Sequence, residues 1–302
     1  MKNRESLDLT GLGVAMVTPF QKNGQVDYAG LQRLTEHLIK GNVDYLVVHG
    51  TTGETPTLST KEIQSTKEFI VEVNNGRLPI VLGIGGNNTR AVCEELKERD
   101  LSGISAILSA SPSYNKPTQE GIYQHYKALN EASPLPIILY NVPGRTASNV
   151  SEETTLRIAR EFNKVVAVKE ASGNMSQIMN LINKAPEDFT VLSGDDALTL
   201  PLMAAGAKGV ISVVGNGFPS AFADLVHSAS RGDFNTALRI HQQLLETIDL
   251  LFADGNPAGI KEVLSYLNIC ENTVRLPLVK VSEKVKNALY KSIAEAELLN
   301  DA

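Results

Sequence analysis

The chain has 302 residues, an apolar fraction of 42%, a net charge of -6 and a pI near 5.5. That acidic balance, without any basic run, argues against nucleic-acid or anionic-membrane partners, since both need concentrated positive charge. No segment reaches membrane-spanning length, the mixed-charge start from Met1 to Leu12 lacks the apolar core of a signal peptide, and the widely separated Cys93 and Cys270 read as reduced thiols of a cytoplasmic protein.

The first predicted strand is Gly13 to Thr18, stopped by Pro19. Leu31, Leu34, Leu38 and Ile39 then repeat at helical spacing behind Asp27, which can cap the free amides. Tyr45 to His49 is the second strand. It runs into Gly50-Thr51-Thr52-Gly53-Glu54 and a helix opened by Ser59 with Glu62 three residues on, the signature of a capping box. Strands follow at Ile80 to Gly83, Ala106 to Leu108, Ile137 to Tyr140, Val165 to Glu170, Thr190 to Leu192 and Val210 to Val213. Helices are predicted between them from about Thr89, Thr118 and Ser151, and Asp196 is expected to cap the helix after the seventh strand. Beyond Asp233 the pattern is helical only, with breaks at Asn256-Pro257 and Leu276-Pro277.

Eight β-branched runs alternating with amphipathic helices predict a parallel sheet, because parallel neighbours need helical crossovers. Eight such units favour a (β/α)8 TIM barrel over residues 1–232, with a C-terminal helical extension over 233–302 packed on it. An open doubly wound sheet is the alternative. Against it, Gly83-Ile84-Gly85-Gly86-Asn87-Asn88 lacks the last glycine of the dinucleotide fingerprint and follows the third strand rather than the first. The five histidines, His37, His49, His125, His227 and His241, show no metal-ligand spacing, so no metal site is expected.

Lys169 ends an otherwise apolar strand. A lysine drawn into such a place loses hydration of its ammonium form, so its pKa should fall towards the neutral amine that attacks a carbonyl carbon. The bland alternative is a lysine that snorkels to the strand end or pairs with a carboxylate. In a barrel of this kind the loops after the strands build the active site, which collects Thr51, Thr52, Tyr114, Tyr140, Arg145 and Lys169 into one constellation. Tyr140, ending the strand before that of Lys169, offers a phenol for moving protons, unless it is a rim tyrosine that packs one face and wets its hydroxyl. The glycine-flanked Thr51-Thr52 turn suits a carboxylate; without the GK[ST] element it is no P-loop. Arg145 can fork onto a second carboxylate, or sit in a surface ion pair.

Four of these segments resemble motifs of the dihydrodipicolinate synthase (4-hydroxy-tetrahydrodipicolinate synthase) family of pyruvate-dependent class I aldolases. They are Gly50 to Glu54, Tyr140 to Thr146, Val168 to Asn174 and Leu192 to Asp196, and the similarity runs from about Gly11 through Arg275-Leu276-Pro277. The resemblance implies a lyase of lysine and diaminopimelate biosynthesis that needs no cofactor. Lys169 would form an imine with pyruvate, the derived enamine would attack L-aspartate 4-semialdehyde, and cyclisation would give 4-hydroxy-tetrahydrodipicolinate. It further implies a proton relay of Tyr140, Thr52 and Tyr114, with Tyr114 reaching in from a neighbouring subunit of a homotetramer built from tight dimers. Thr51 and Thr52 would hold the pyruvate carboxylate, Arg145 the aldehyde substrate, and Gly194 and Ile211 would line the pocket through backbone carbonyls.

N-acetylneuraminate lyase is the runner-up within the superfamily. Those relatives usually carry Ser-Thr in the turn and lack the arginine, whereas Thr51-Thr52 and Arg145 are both present here. A barrel that binds an oxo-acid without turnover is the reading from another class, and it has no use for Tyr114 or Lys169. One departure concerns lysine inhibition: enterobacterial members use histidines, an acidic residue and an aromatic at positions that match Thr60, Ile63, Ala91 and Ser113 here, while Asn87 is retained. Lysine inhibition is therefore expected to be weak or absent.

Overall fold

The computed structural model describes residues 7–296, so the outermost residues of the predicted barrel and extension, 1–6 and 297–302, lie outside the described residues. In chain order the elements are β1 (Gly11–Ala15), α1 (Tyr28–Lys40), β2 (Tyr45–Val48), α2 (Thr60–Asn74), β3 (Ile80–Gly83), α3 (Thr89–Glu98), β4 (Ala106–Ala110), α4 (Gln119–Ala132), β5 (Ile137–Asn141), α5 (Pro143–Thr146), α6 (Glu152–Glu161), β6 (Val165–Glu170), α7 (Met175–Lys184), β7 (Thr190–Ser193), α8 (Thr199–Ala204), β8 (Gly209–Ser212), α9 (Pro219–Ser230), α10 (Phe234–Ala253), α11 (Ala258–Tyr266) and α12 (Glu283–Glu295). The eight strands follow one another in a closed barrel, β1 to β8. Two compact units share the chain: one comprises the segment up to Thr10 with Pro79–Ile211, the other Gly11–Leu78 and everything from Ser212 on.

In the Pro79–Ile211 unit the strands pair in parallel from β3 to β8. Every residue of β6 is buried, as expected for a strand covered on both faces. The helices begin at short polar side chains that accept from amides of the first turn: Asn88 for α3, Thr118 for α4, Ser151 for α6 and Asn174 for α7. Helix α8 departs from the expectation. The residue at its N-cap position is Leu198, which makes no side-chain cap, and the amides of Ala197 and Leu198, just before the helix, donate to Asp195 Oδ1.

In the other unit β1 pairs with β2, Asp27 caps α1, and Ser59 and Glu62 form the predicted capping box of α2. The predicted first strand overshoots, because β1 ends at Ala15. Val17 N donates to the side chain of Asn216, and Thr18 Oγ1 donates to the carbonyl of Gly53, so these residues anchor loops rather than extend the ladder. Helices α10, α11 and α12 carry the C-terminal part of the chain, and the predicted breaks Asn256-Pro257 and Leu276-Pro277, both cis, fall in the segments between them. Among the described residues no helix is long and apolar enough to cross a membrane.

Candidate active site

Lys169 is carried to the end of β6 by four apolar residues that fix the strand in the core. It is 5% exposed, and Tyr140 at the end of β5 is 7% exposed. The two are in register, so their side chains leave the same face of the sheet, and Lys169 Nζ lies 4.4 Å from the centre of the Tyr140 ring. Among the described residues no carboxylate pairs with Lys169. The snorkelling or ion-paired lysine is not what the chain builds.

Gly194, just past β7, donates its amide to Glu170 O at 2.8 Å. A Cβ at Gly194 would stand 3.0 Å from Lys169 Cε and 2.7 Å from Ala171 Cβ, so a side chain here would crowd the amine's stem. Lys169, Tyr140 and Gly194 thus form one cluster. Ile211 lies buried in β8.

Arg145 sits in α5, the short helix directly after β5, where it is exposed and, among the described residues, makes no ion pair. Its guanidinium is left available to an anionic ligand. The same loop holds Tyr114 by its backbone: Tyr114 N donates to Thr146 O at 3.3 Å. The Tyr114 side chain is 86% exposed, and its φ of 75° is left-handed, a conformation an aromatic residue seldom adopts without a reason.

Thr51 and Thr52 belong to the other unit, in a single 3₁₀ turn closed by the amides of Gly53 and Glu54 on Gly50 O and Thr51 O. Thr51 is exposed; Thr52 is 3% exposed and accepts a hydrogen bond from Asn256 Nδ2 at 2.9 Å. Glu54 ends the turn in a left-handed conformation and turns its carboxylate inward. Lys261 of α11 donates to it at 2.5 Å and to Thr273 O at 2.9 Å, and both side chains are fully buried. Burial pulls the Lys261 ammonium pKa below its ordinary value, with Glu54 opposing that shift.

Arg275 completes the support. Its amide donates to Glu54 Oε2, and its guanidinium spans Gly24 O, Thr57 O and the Glu62 carboxylate. The Arg275 fork holds the Glu62 carboxyl down to about 2. Sequence reading assigned no part to Asn256, Glu54, Lys261 or Arg275. Glu54 stood inside a quoted motif, but its partners are more than 200 residues away in the chain.

The family model described as Dihydrodipicolinate synthetase family matches residues 8–296. A 4-hydroxy-tetrahydrodipicolinate synthase from Flavobacterium psychrophilum is 54% identical over 279 residues, covering 92% of this chain and 95% of that protein. Among solved structures, the dihydrodipicolinate synthase from Aquifex aeolicus is 40% identical with a TM-score of 0.92, over 96% of this chain and 99% of that one. A structure described as the first monomeric dihydrodipicolinate synthase variant is 39% identical with a TM-score of 0.93, over 96% and 97%. Four strand-end motifs, a closed eight-stranded barrel and similarity to these proteins over more than nine-tenths of the chain agree, and the chain belongs to the dihydrodipicolinate synthetase family.

Proposed function

We propose that this protein condenses pyruvate with L-aspartate 4-semialdehyde to 4-hydroxy-tetrahydrodipicolinate, the product for which its relatives are named synthases. The observation that carries the reading is Lys169, a buried amine without a carboxylate partner among the described residues, facing a tyrosine ring at 4.4 Å. Lys169 Nζ adds to the keto carbon of pyruvate, and the carbinolamine loses water to give the imine. Loss of a methyl proton makes the enamine, whose carbon bonds to the aldehyde carbon of the second substrate. The amino group of that substrate then displaces Lys169 from the imine carbon, closing the ring and freeing the enzyme. One water leaves in the whole reaction, and no group besides the Lys169 amine is needed to carry the pyruvate carbons.

Tyr140 is the nearest hydroxyl-bearing side chain in register with Lys169 and takes the role of proton carrier, together with Thr52 and Tyr114. Thr51 and Thr52 hold the pyruvate carboxylate, and a 3₁₀ turn suits that task because its first amides have no acceptor inside the turn. Arg145 binds the carboxylate of the aldehyde substrate, while Gly194 and Ile211 contribute backbone carbonyls. The exposure of Tyr114 supports a second copy of the chain on that surface and an assembly of tight dimers into a tetramer, whereas one similar synthase is described as monomeric. We place the enzyme in the cytoplasm, where free thiols such as Cys93 and Cys270 persist.

Borohydride trapping with pyruvate, followed by peptide mapping, tests the reading. A reduced-pyruvate adduct on Lys169 is expected, and turnover with aspartate semialdehyde but not with N-acetylmannosamine separates the synthase from a lyase. Absence of the adduct would exclude the imine route for pyruvate.

A further inference from the structure

Behind Lys169 and Tyr140, on the opposite face of the same two strands, Asn141 and Glu170 make a second in-register pair, both 0% exposed. The pairing between β5 and β6 is irregular. Ile137 meets Val165, but Ile138 meets Ala167, so Val166 is an inserted, bulged residue. Without that insertion the count would bring Tyr140 opposite Val168 and Asn141 opposite Lys169. A one-residue slip sends a side chain to the other face, so the amine would leave the face of Tyr140.

Glu170, four residues past the bulged Val166, is tied to three elements in this shifted register. Its carboxylate accepts from Asn141 Nδ2 at 3.1 and 3.0 Å, from Ser172 N at 2.8 Å and from Gln177 Nε2 at 3.3 Å. These donors come from the end of β5, the turn after β6 and the first turn of α7. Asn141 extends the tie: its Oδ1 accepts from Val150 N at 2.9 Å, and its Nδ2 donates to Asn149 Oδ1 at 2.9 Å, closing the loop that bears Arg145. A buried carboxylate is costly, and an apolar side chain of similar volume fills a site equally well. What the carboxylate adds is direction, since it binds three donors at set angles.

We propose that Glu170 and Asn141 are positioning residues, a register clamp that holds Lys169 beside Tyr140 and shapes the Arg145 loop. The proposal rests on the imine reading above. Its test is the rate of borohydride-trapped imine formation with pyruvate, per folded molecule by circular dichroism, in wild type, Glu170→Gln and Gln177→Ala. Glu170→Gln keeps the shape but sets an amide NH2 among three donors; trapping rate and kcat should fall together about tenfold or more, with pyruvate KM changed less than about threefold. Gln177→Ala removes one of the three donors to Glu170 from a half-buried position and should slow trapping about two- to fourfold. If every variant that folds traps pyruvate at the wild-type rate and differs only in melting temperature, the clamp is structural and the proposal is overturned. A wild-type protein that yields no Lys169 adduct removes the imine reading and the clamp with it, an outcome distinct from equal rates.

Discussion

Gly194→Ala puts one methyl group beside the amine and probes how closely Lys169 is seated. The new Cβ would lie 3.0 Å from Lys169 Cε, 2.7 Å from Ala171 Cβ and 3.1 Å from Glu170 O, whereas ordinary contact begins at 3.4 Å. The lysine stem must retreat by about 0.4 Å and the Ala171 backbone by about 0.7 Å, and overpacking of this size costs about 1–3 kcal/mol of stability. A misplacement of about 1 Å costs a reaction about a hundredfold, so a shift of half that size should slow imine formation about tenfold. The assay is quenched-flow mixing with saturating pyruvate, borohydride at set times and intact mass, with the folded fraction followed by circular dichroism. A trapping rate within twofold of wild type in a fully folded variant would show that Lys169 tolerates the displacement, and the tight seat inferred here would be wrong.

Three further outcomes are expected. Lys261→Met leaves the fully buried Glu54 carboxylate without its cation and should lower stability by about 3–5 kcal/mol in urea unfolding, while Glu54→Gln with Lys261→Met recovers part of the loss. His227 has its pKa raised by the hydrogen bond to Asp44 at 2.8 Å, against the effect of burial. Its contribution is fully present below the unfolded value of about 6.5 and is lost as pH rises through the raised folded value, so the melting temperatures of wild type and His227→Asn should converge in alkaline buffer; a gap that widens there would refute the assignment. L-lysine should inhibit weakly or not at all if, as the family resemblance implies, Ala91 takes the place of the acidic residue that would pair with the effector's ammonium; strong partial inhibition at sub-millimolar lysine would overturn this.

The barrel was legible because each of its units is local. An apolar run, a cap and an amphipathic helix lie within about thirty residues of one another, and the signals for Asp27, Ser59, Thr118 and Ser151 all mark real helix starts. The end of β1 was misjudged for the opposite reason. Met16 to Thr18 has the composition of a strand, yet the Val17 amide is claimed by Asn216, 199 residues on. The site divides the same way. Lys169 stands out wherever an apolar strand is read, but the supports of the Thr51-Thr52 turn, Asn256 and Lys261, are 204 and 207 residues from their partners.

Burial alone does not mark a reactive lysine, and this chain contains the comparison that shows why. Lys169 and Lys261 are both buried, at 5% and 0% exposure. Lys261 spends its donors on a carboxylate at 2.5 Å and a carbonyl at 2.9 Å, so its nitrogen is committed and its hydration is replaced by fixed acceptors. Lys169 has only an aromatic ring at 4.4 Å and, among the described residues, no carboxylate. An amine with open geometry beside a phenol can add to a carbonyl; one locked in an ion pair must first break that pair inside the protein, at a cost of several kcal/mol. Borohydride with pyruvate should therefore modify Lys169 and leave Lys261 untouched in peptide maps of the folded protein. Comparable labelling of both lysines would mean that exposure, not partnership, selects the nucleophile, and the basis for choosing Lys169 would fail.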